Sequence, residues 1–72
     1  AMGARPALAA ALLARGEVRS QRATVEGDPS LVAAAAEDLV SAGRLFAELG
    51  AETELARAQA AQAAHQDRHR MA

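Results

Sequence analysis

The 72-residue sequence contains no cysteine, no tryptophan, no tyrosine, no isoleucine and no lysine, and a single phenylalanine, Phe46. Without cysteine, neither a disulfide nor a thiolate zinc site staples the fold. With Phe46 as the lone aromatic, there is no platform on which nucleic-acid bases would stack. Strand signals are nearly absent, because valine and threonine are scattered and no run alternates with period two. An excess of charge is also missing: eight arginines face nine acidic residues for a net charge of −1. No global field therefore draws the chain to nucleic acid or to an anionic membrane. The longest apolar run, Ala7 to Ala14, is eight residues, against about 20 for a membrane-spanning helix. The opening residues form no signal-peptide pattern, and a cytoplasmic location is expected. Ala-Met-Gly reads as a cloning remnant, residues 1–5 as a lead outside the fold, and residues 71–72 as a tail.

What is present favours helix. Alanine fills 22 positions, and leucine, arginine, glutamate and glutamine, all strong helix formers, fill many of the rest. Leucine, valine and phenylalanine together number only 13. That inventory is thin for a free monomer, so the chain is expected to associate, either with itself or with a neighbouring domain.

Punctuation divides the chain into three helices, at about residues 6–26, 29–49 and 52–70. Pro6 suits a first helical turn, where its missing N–H has no partner to lose. Leu8, Leu12, Val18 and Val25 follow helical spacing loosely along the first helix. Gly16 in their midst either weakens the helix or admits a close neighbour. Gly27-Asp28-Pro29-Ser30 is the sharpest local signal: a left-handed stop, a capping carboxylate, and proline at the next helix's first position. The second helix carries the stripe Val32, Ala35, Leu39, Ala42, Gly43, Phe46 and Leu49, at steps of three and four. Leu31, Val40 and Leu45 widen that face, which makes this helix the central element. Gly50 ends it. In the third helix Glu52 and Glu54 open and Arg68, His69 and Arg70 close, an order that suits the helix dipole. Its only large apolar residue is Leu55, so its buried face is expected to be alanine: Ala51 and Ala58, with Ala56, Ala60 and Ala63. Connections of about two residues make neighbours antiparallel. The expected fold is all-α: a helical hairpin plus one helix, tetratricopeptide-like or a small bundle, with a packing and partner face of Val32, Leu39, Gly43, Phe46, Leu49, Leu55 and Ala58.

Chemistry-bearing patterns are sparse. His65 and His69, four apart on a helix, have the spacing of two metal ligands. The intervening glutamate of that motif is absent, no third ligand is evident, and the plainer reading is a solvated polar helix end. No cofactor is expected. Arg15, Arg19 and Arg22 make a basic stripe of the kind that binds phosphate, although pairing with acids of the neighbouring helix explains it better. Glu37, Asp38 and Glu48 are acids without a matched partner in sequence, and nothing shapes a pocket around them. Ser20, Ser30 and Ser41 lack the histidine or glycine-rich surroundings of a nucleophile. An enzyme is not expected.

The wording from Gly27 to Arg70, GDPSLVAAAAEDLVSAGRLFAELGAETELARAQAAQAAHQDRHR, resembles the helical-repeat region of bacterial LuxR-type transcriptional regulators and related signalling ATPases. The matching residues are Ala42, Leu45, Phe46, Leu49, Gly50, Ala51, Glu54, Leu55, Ala56, Arg57 and Ala58, and ALLARGEV at 11–18 is similar to the first helix of such a pair. The strict 34-residue tetratricopeptide pattern does not fit, and neither the nucleotide-binding loop nor the DNA-binding helix-turn-helix of such regulators is present. The resemblance implies a non-catalytic protein-interaction or signal-relay scaffold, a fragment or small relative of those regulators. The residues themselves leave two other classes open: a self-contained helical homodimerisation module, and an arginine-stripe nucleic-acid binder.

Overall fold

A computed structural model describes residues 4–70. The cloning-remnant reading of residues 1–3 and the tail reading of residues 71–72 fall outside the described residues. Three helices follow one another: α1 (Ala4–Glu26), α2 (Pro29–Leu49) and α3 (Glu52–His69). The all-α hairpin-plus-one architecture is therefore present. The first helix begins two residues ahead of Pro6, which takes its place within the first turn, where backbone N–H groups have no intrahelical acceptor.

Both connections are two residues long, and each is built from the chemistry expected of it. Gly27 adopts φ 64° and closes α1 through its N–H to the Ala23 carbonyl at 2.8 Å. Asp28 caps α2, its Oδ1 accepting from the Ser30 N–H at 2.9 Å, with Pro29 at the start of the helix. At the far end Gly50 turns left-handed at φ 68°. Its N–H reaches the Ala47 carbonyl and the Ala51 N–H reaches that of Phe46, which satisfies two carbonyls the helix end would orphan. The chain reverses twice and α2 lies between α1 and α3. The Cα envelope is 38 × 20 × 12 Å, a slab broader than it is thick.

The core is small. Leu13, Leu39, Ala42, Phe46 and Ala58 form its centre with Ala9, and Leu12, Leu45, Leu55 and Ala61 pack at its edge. On α2 the expected stripe is buried at Ala35, Leu39, Ala42, Gly43 and Phe46, whereas Val32 is half-buried and Leu49 exposed. On α1 the outcome is different. Leu8, Val18 and Val25 are exposed, and the face turned to α2 is Ala9, Leu13, Gly16, Ser20 and Ala23. Those residues repeat at steps of four, three, four and three, so the helical period is intact but carried by small side chains. Gly16 explains the choice. A methyl group at this position would sit 2.8 Å from Leu39 Cδ2 and 3.1 Å from Asp38 Cβ. The α1 backbone is thus laid directly on α2, and larger residues are turned outward. On α3 the expected alanine face is partly corrected too: Ala58 is buried and Ala51 half-buried, but Ala56, Ala60 and Ala63 are exposed. The true inner face runs through Leu55, Ala58, Ala61, His65 and His69.

Candidate functional site

Two features stand out against this framework, one at each end of the slab. The first is a polar cluster where α3 meets α1. Ser20 is 2% exposed and His65 5% exposed, so the solvated-end reading does not hold for His65. The fold supplies the histidine that Ser20 lacks in sequence, from 45 residues away: Ser20 Oγ lies 2.6 Å from His65 Nδ1. The other ring nitrogen, Nε2, lies 3.1 Å from the Val32 carbonyl. A carbonyl only accepts, so Nε2 carries the proton and donates. In the neutral ring Nδ1 is then the acceptor, and the Ser20 hydroxyl donates to it. Ser20 Oγ also accepts from Arg68 Nη1 at 2.9 Å, while its backbone carbonyl receives His69 Nε2 at 3.3 Å. Burial pushes the His65 imidazole below its ordinary value, against the bond to Val32, with His69 and Arg68 adding to the downward shift. Charging the ring costs desolvation, and the Arg68 guanidinium beside it already carries positive charge.

Serine beside histidine is the first half of a nucleophile–base pair. Here the hydroxyl lies mid-helix, and the space next to it is about 50 Å³, room for a water or two. A backbone carbonyl, in place of a carboxylate, holds the far side of the ring. The arrangement ties helices together; it does not present a nucleophile to substrate. Nor do His65 and His69 offer a metal pair, since both His65 nitrogens are engaged within the protein, and no group of three or more potential ligands gathers among the described residues.

The arginine stripe divides. Arg15 grips Asp38 through Nε at 3.0 Å and Nη2 at 2.9 Å, a two-pronged geometry suited to carboxylate. Arg19 Nη1 adds a third bond at 3.0 Å. Arg22 points along its own helix to Glu26. Asp38, left unmatched by the sequence, is buried, and the Arg15 bond holds its carboxyl below the usual carboxylate range, against desolvation and with Arg19 assisting. Two of the three arginines are therefore committed to an internal carboxylate.

The second feature is an apolar groove. At the end opposite the polar cluster, residues of α1, α2 and α3 border an opening of about 550 Å³. Leu13, Phe46 and Leu49 line it, with Ala10, Ala14 and Ala51 along its walls. Glu17, Glu54 and Arg57 complete its lining. Of the expected packing face, Phe46 and Leu49 reach this groove. Leu39, Gly43 and Ala58 are enclosed, and half-buried Val32 belongs to the polar end through its carbonyl. Beside the groove, the outer face of α1 presents Ala7, Ala11, Ala14, Val18 and Val25, all exposed, at helical steps.

Sequence reasoning expected the arginines to pair with acids of the neighbouring helix, as Arg15 and Arg19 do with Asp38, but it missed the roles of Ser20 and Arg68 and the burial of His65. The signal that would have found Ser20 is the small-residue period 9, 13, 16, 20, 23, which places it on the same face as Gly16. Comparison with family models, with curated proteins and with solved structures gave no match.

Proposed function

We propose that this chain is a non-catalytic protein-interaction element of helical-repeat type, and that the groove between α1 and α3 receives α1 of a second copy. The groove carries the reading. It is a largely apolar opening of about 550 Å³ lined by Leu13, Phe46 and Leu49, with Leu49 exposed. The outer face of α1 fits such a site. It is a strip of alanine and valine that allows close helix approach, and Arg15 and Arg22 flank it with about half of each side chain exposed. A helix with apolar faces on opposite sides is a helix made to be packed on both, which is how stacked repeats bury what one repeat leaves bare. The LFAELGAETELARA line forms the α2–α3 hairpin that borders the groove. On that resemblance the parent protein would be a bacterial LuxR-type transcriptional regulator, with this segment relaying or docking and not touching DNA.

The test is sedimentation equilibrium at about 100 µM, where a micromolar interface is saturated. The wild-type chain is expected to associate. Ala14→Glu in the groove wall and Val18→Glu on the outer face of α1 are each expected to return it to monomer with helicity unchanged, since both positions are exposed. A wild-type chain that stays monomeric at that concentration overturns the reading. A closed two-fold dimer in place of open head-to-tail stacking would favour the homodimerisation module over a repeat.

A further inference from the structure

We propose that Ser20, His65 and Arg68 form a proton-operated latch that holds the C-terminal half of α3 on the α1–α2 hairpin and frees it in mildly acidic solution. The carrying observation is how unevenly polar contacts are distributed. Every ion pair between helices among the described residues joins α1 to α2: Arg5 to Glu48, and Arg15 and Arg19 to Asp38. The side-chain hydrogen bonds from α3 to the other helices all end on Ser20 or start from His65. Apolar attachment is weak there as well. Beyond Leu55 the inner face of α3 is alanine until His65, and alanine burial contributes little. One residue pair thus decides whether that half stays docked.

The pair is sensitive to a single proton. With His65 neutral, every partner is matched: Nε2–H to the Val32 carbonyl, Ser20 O–H to Nδ1, and Arg68 to the Ser20 oxygen. Adding a proton at Nδ1 turns that acceptor into a donor. The hydroxyl then faces two cationic donors, and its own hydrogen must give up the ring nitrogen for water in the adjoining space of about 50 Å³. A buried polar group stripped of its partner is costly.

The surrounding charges do not offset this. On α3, Arg68 and His69 lie against the ring and Arg70 shares its outer pocket. From α2 the neighbours are uncharged Val32 and Ala36. On α1, Glu17 lines the small space beside Ser20, and Asp28, at the α1–α2 connection, lines the pocket that holds His69. Neither carboxylate bonds to His65. The depressed affinity of the folded ring for protons fixes the direction. As pH falls below about 6.5, the ordinary value, the released form binds the proton and the docked form does not. Docking is complete above that pH and is lost as pH falls toward the docked ring's own lower value.

Amide hydrogen exchange followed by NMR, corrected for intrinsic rates, tests this together with the imidazole shifts of His65. The expected result is an Nε2–H tautomer at pH 7.5. Between pH 7.5 and 5, protection of residues 61–69 is expected to fall at least tenfold while α1 and α2 keep theirs, and the loss should follow the His65 titration. His65→Gln should flatten the dependence and His69→Gln should preserve it. If His65→Gln does not fold, the wild-type profile decides alone. Equal loss in all three helices, no loss in residues 61–69, or loss that does not follow His65 overturns the latch.

Discussion

Gly16 and Gly43 are both buried helical glycines, yet their surroundings differ by about one ångström, and that difference separates their roles. At Gly43 an added methyl would meet Ala58 Cβ at 3.9 Å and Leu55 Cδ1 at 4.0 Å, ordinary contact distances. Gly43→Ala should therefore stabilise the protein by about 0.5–1 kcal/mol, the usual helical advantage of alanine over glycine. At Gly16 the same change drives a methyl to within 2.9 Å of both Leu39 Cδ2 and Cγ. Leu39 is 1% exposed, and because its Cγ and the Asp38 Cβ at 3.1 Å are also close, turning the tip of its side chain does not relieve the contact. Overpacking costs roughly 1–3 kcal/mol, which cancels or outweighs the helical gain, so Gly16→Ala should bring no stabilisation. Urea denaturation of the two variants side by side reads this directly; a gain at Gly16 equal to that at Gly43 would show that the α1–α2 contact is looser than described.

Among the elements, α1 and α2 form the firm unit and α3 the attached one. Asp38 stands between two arginines, so either can be lost while the carboxylate keeps a cationic partner. Arg15→Ala and Arg19→Ala should each be mild. The double variant should cost more than the sum of the two, because it leaves a buried carboxylate without a partner. A double-mutant cycle by thermal unfolding measures the excess, and strict additivity would mean that water already serves Asp38. The elements also mark where sequence reading succeeds. Helix limits around Gly27-Asp28-Pro29 and Leu49-Gly50 were legible because each rests on local backbone chemistry. The inner face of α1 was not. Periodicity is read from large apolar residues, and here Leu8, Val18 and Val25 occupy the outer face while the packed face is made of glycine, serine, alanine and one leucine. His65 escaped for a related reason: a run such as HQDRH reads as solvated, and only the opposing helix shows that Ser20 and the Val32 carbonyl await both ring nitrogens.

At the scale of the whole molecule, a slab of 38 × 20 × 12 Å has two broad faces and little interior. Thin composition and slab shape express one fact: residues such as Val18, Val25 and Val40 are exposed because three helices with alanine contacts do not enclose a volume. The groove is the sharpest instance, since Phe46 is buried on one side and forms the groove lining on the other. Of the expected face from Val32 to Ala58, Leu39, Gly43, Phe46 and Ala58 are buried, Val32 and Leu55 half-buried and Leu49 exposed, and the groove itself was not legible because it depends on how three helices pack, which no local pattern encodes.

Asp38 has a consequence beyond its own bonds. Alanine-rich helices offer many near-equivalent alignments, since sliding one past another by a turn replaces methyl with methyl. Asp38 removes that degeneracy. Shifted by one turn either way, the carboxylate keeps one of its two arginines and meets Ala11 or Ala23 in place of the other, so the slipped alignment loses one of two ion pairs. It favours the alignment in which both arginines reach it, and the Gly16 contact with Leu39 favours the same one. Asp38→Leu should then leave helicity high while amide resonances of α1 and α2 broaden or double. A single sharp set of resonances in that variant would assign the choice of alignment to Gly16 alone.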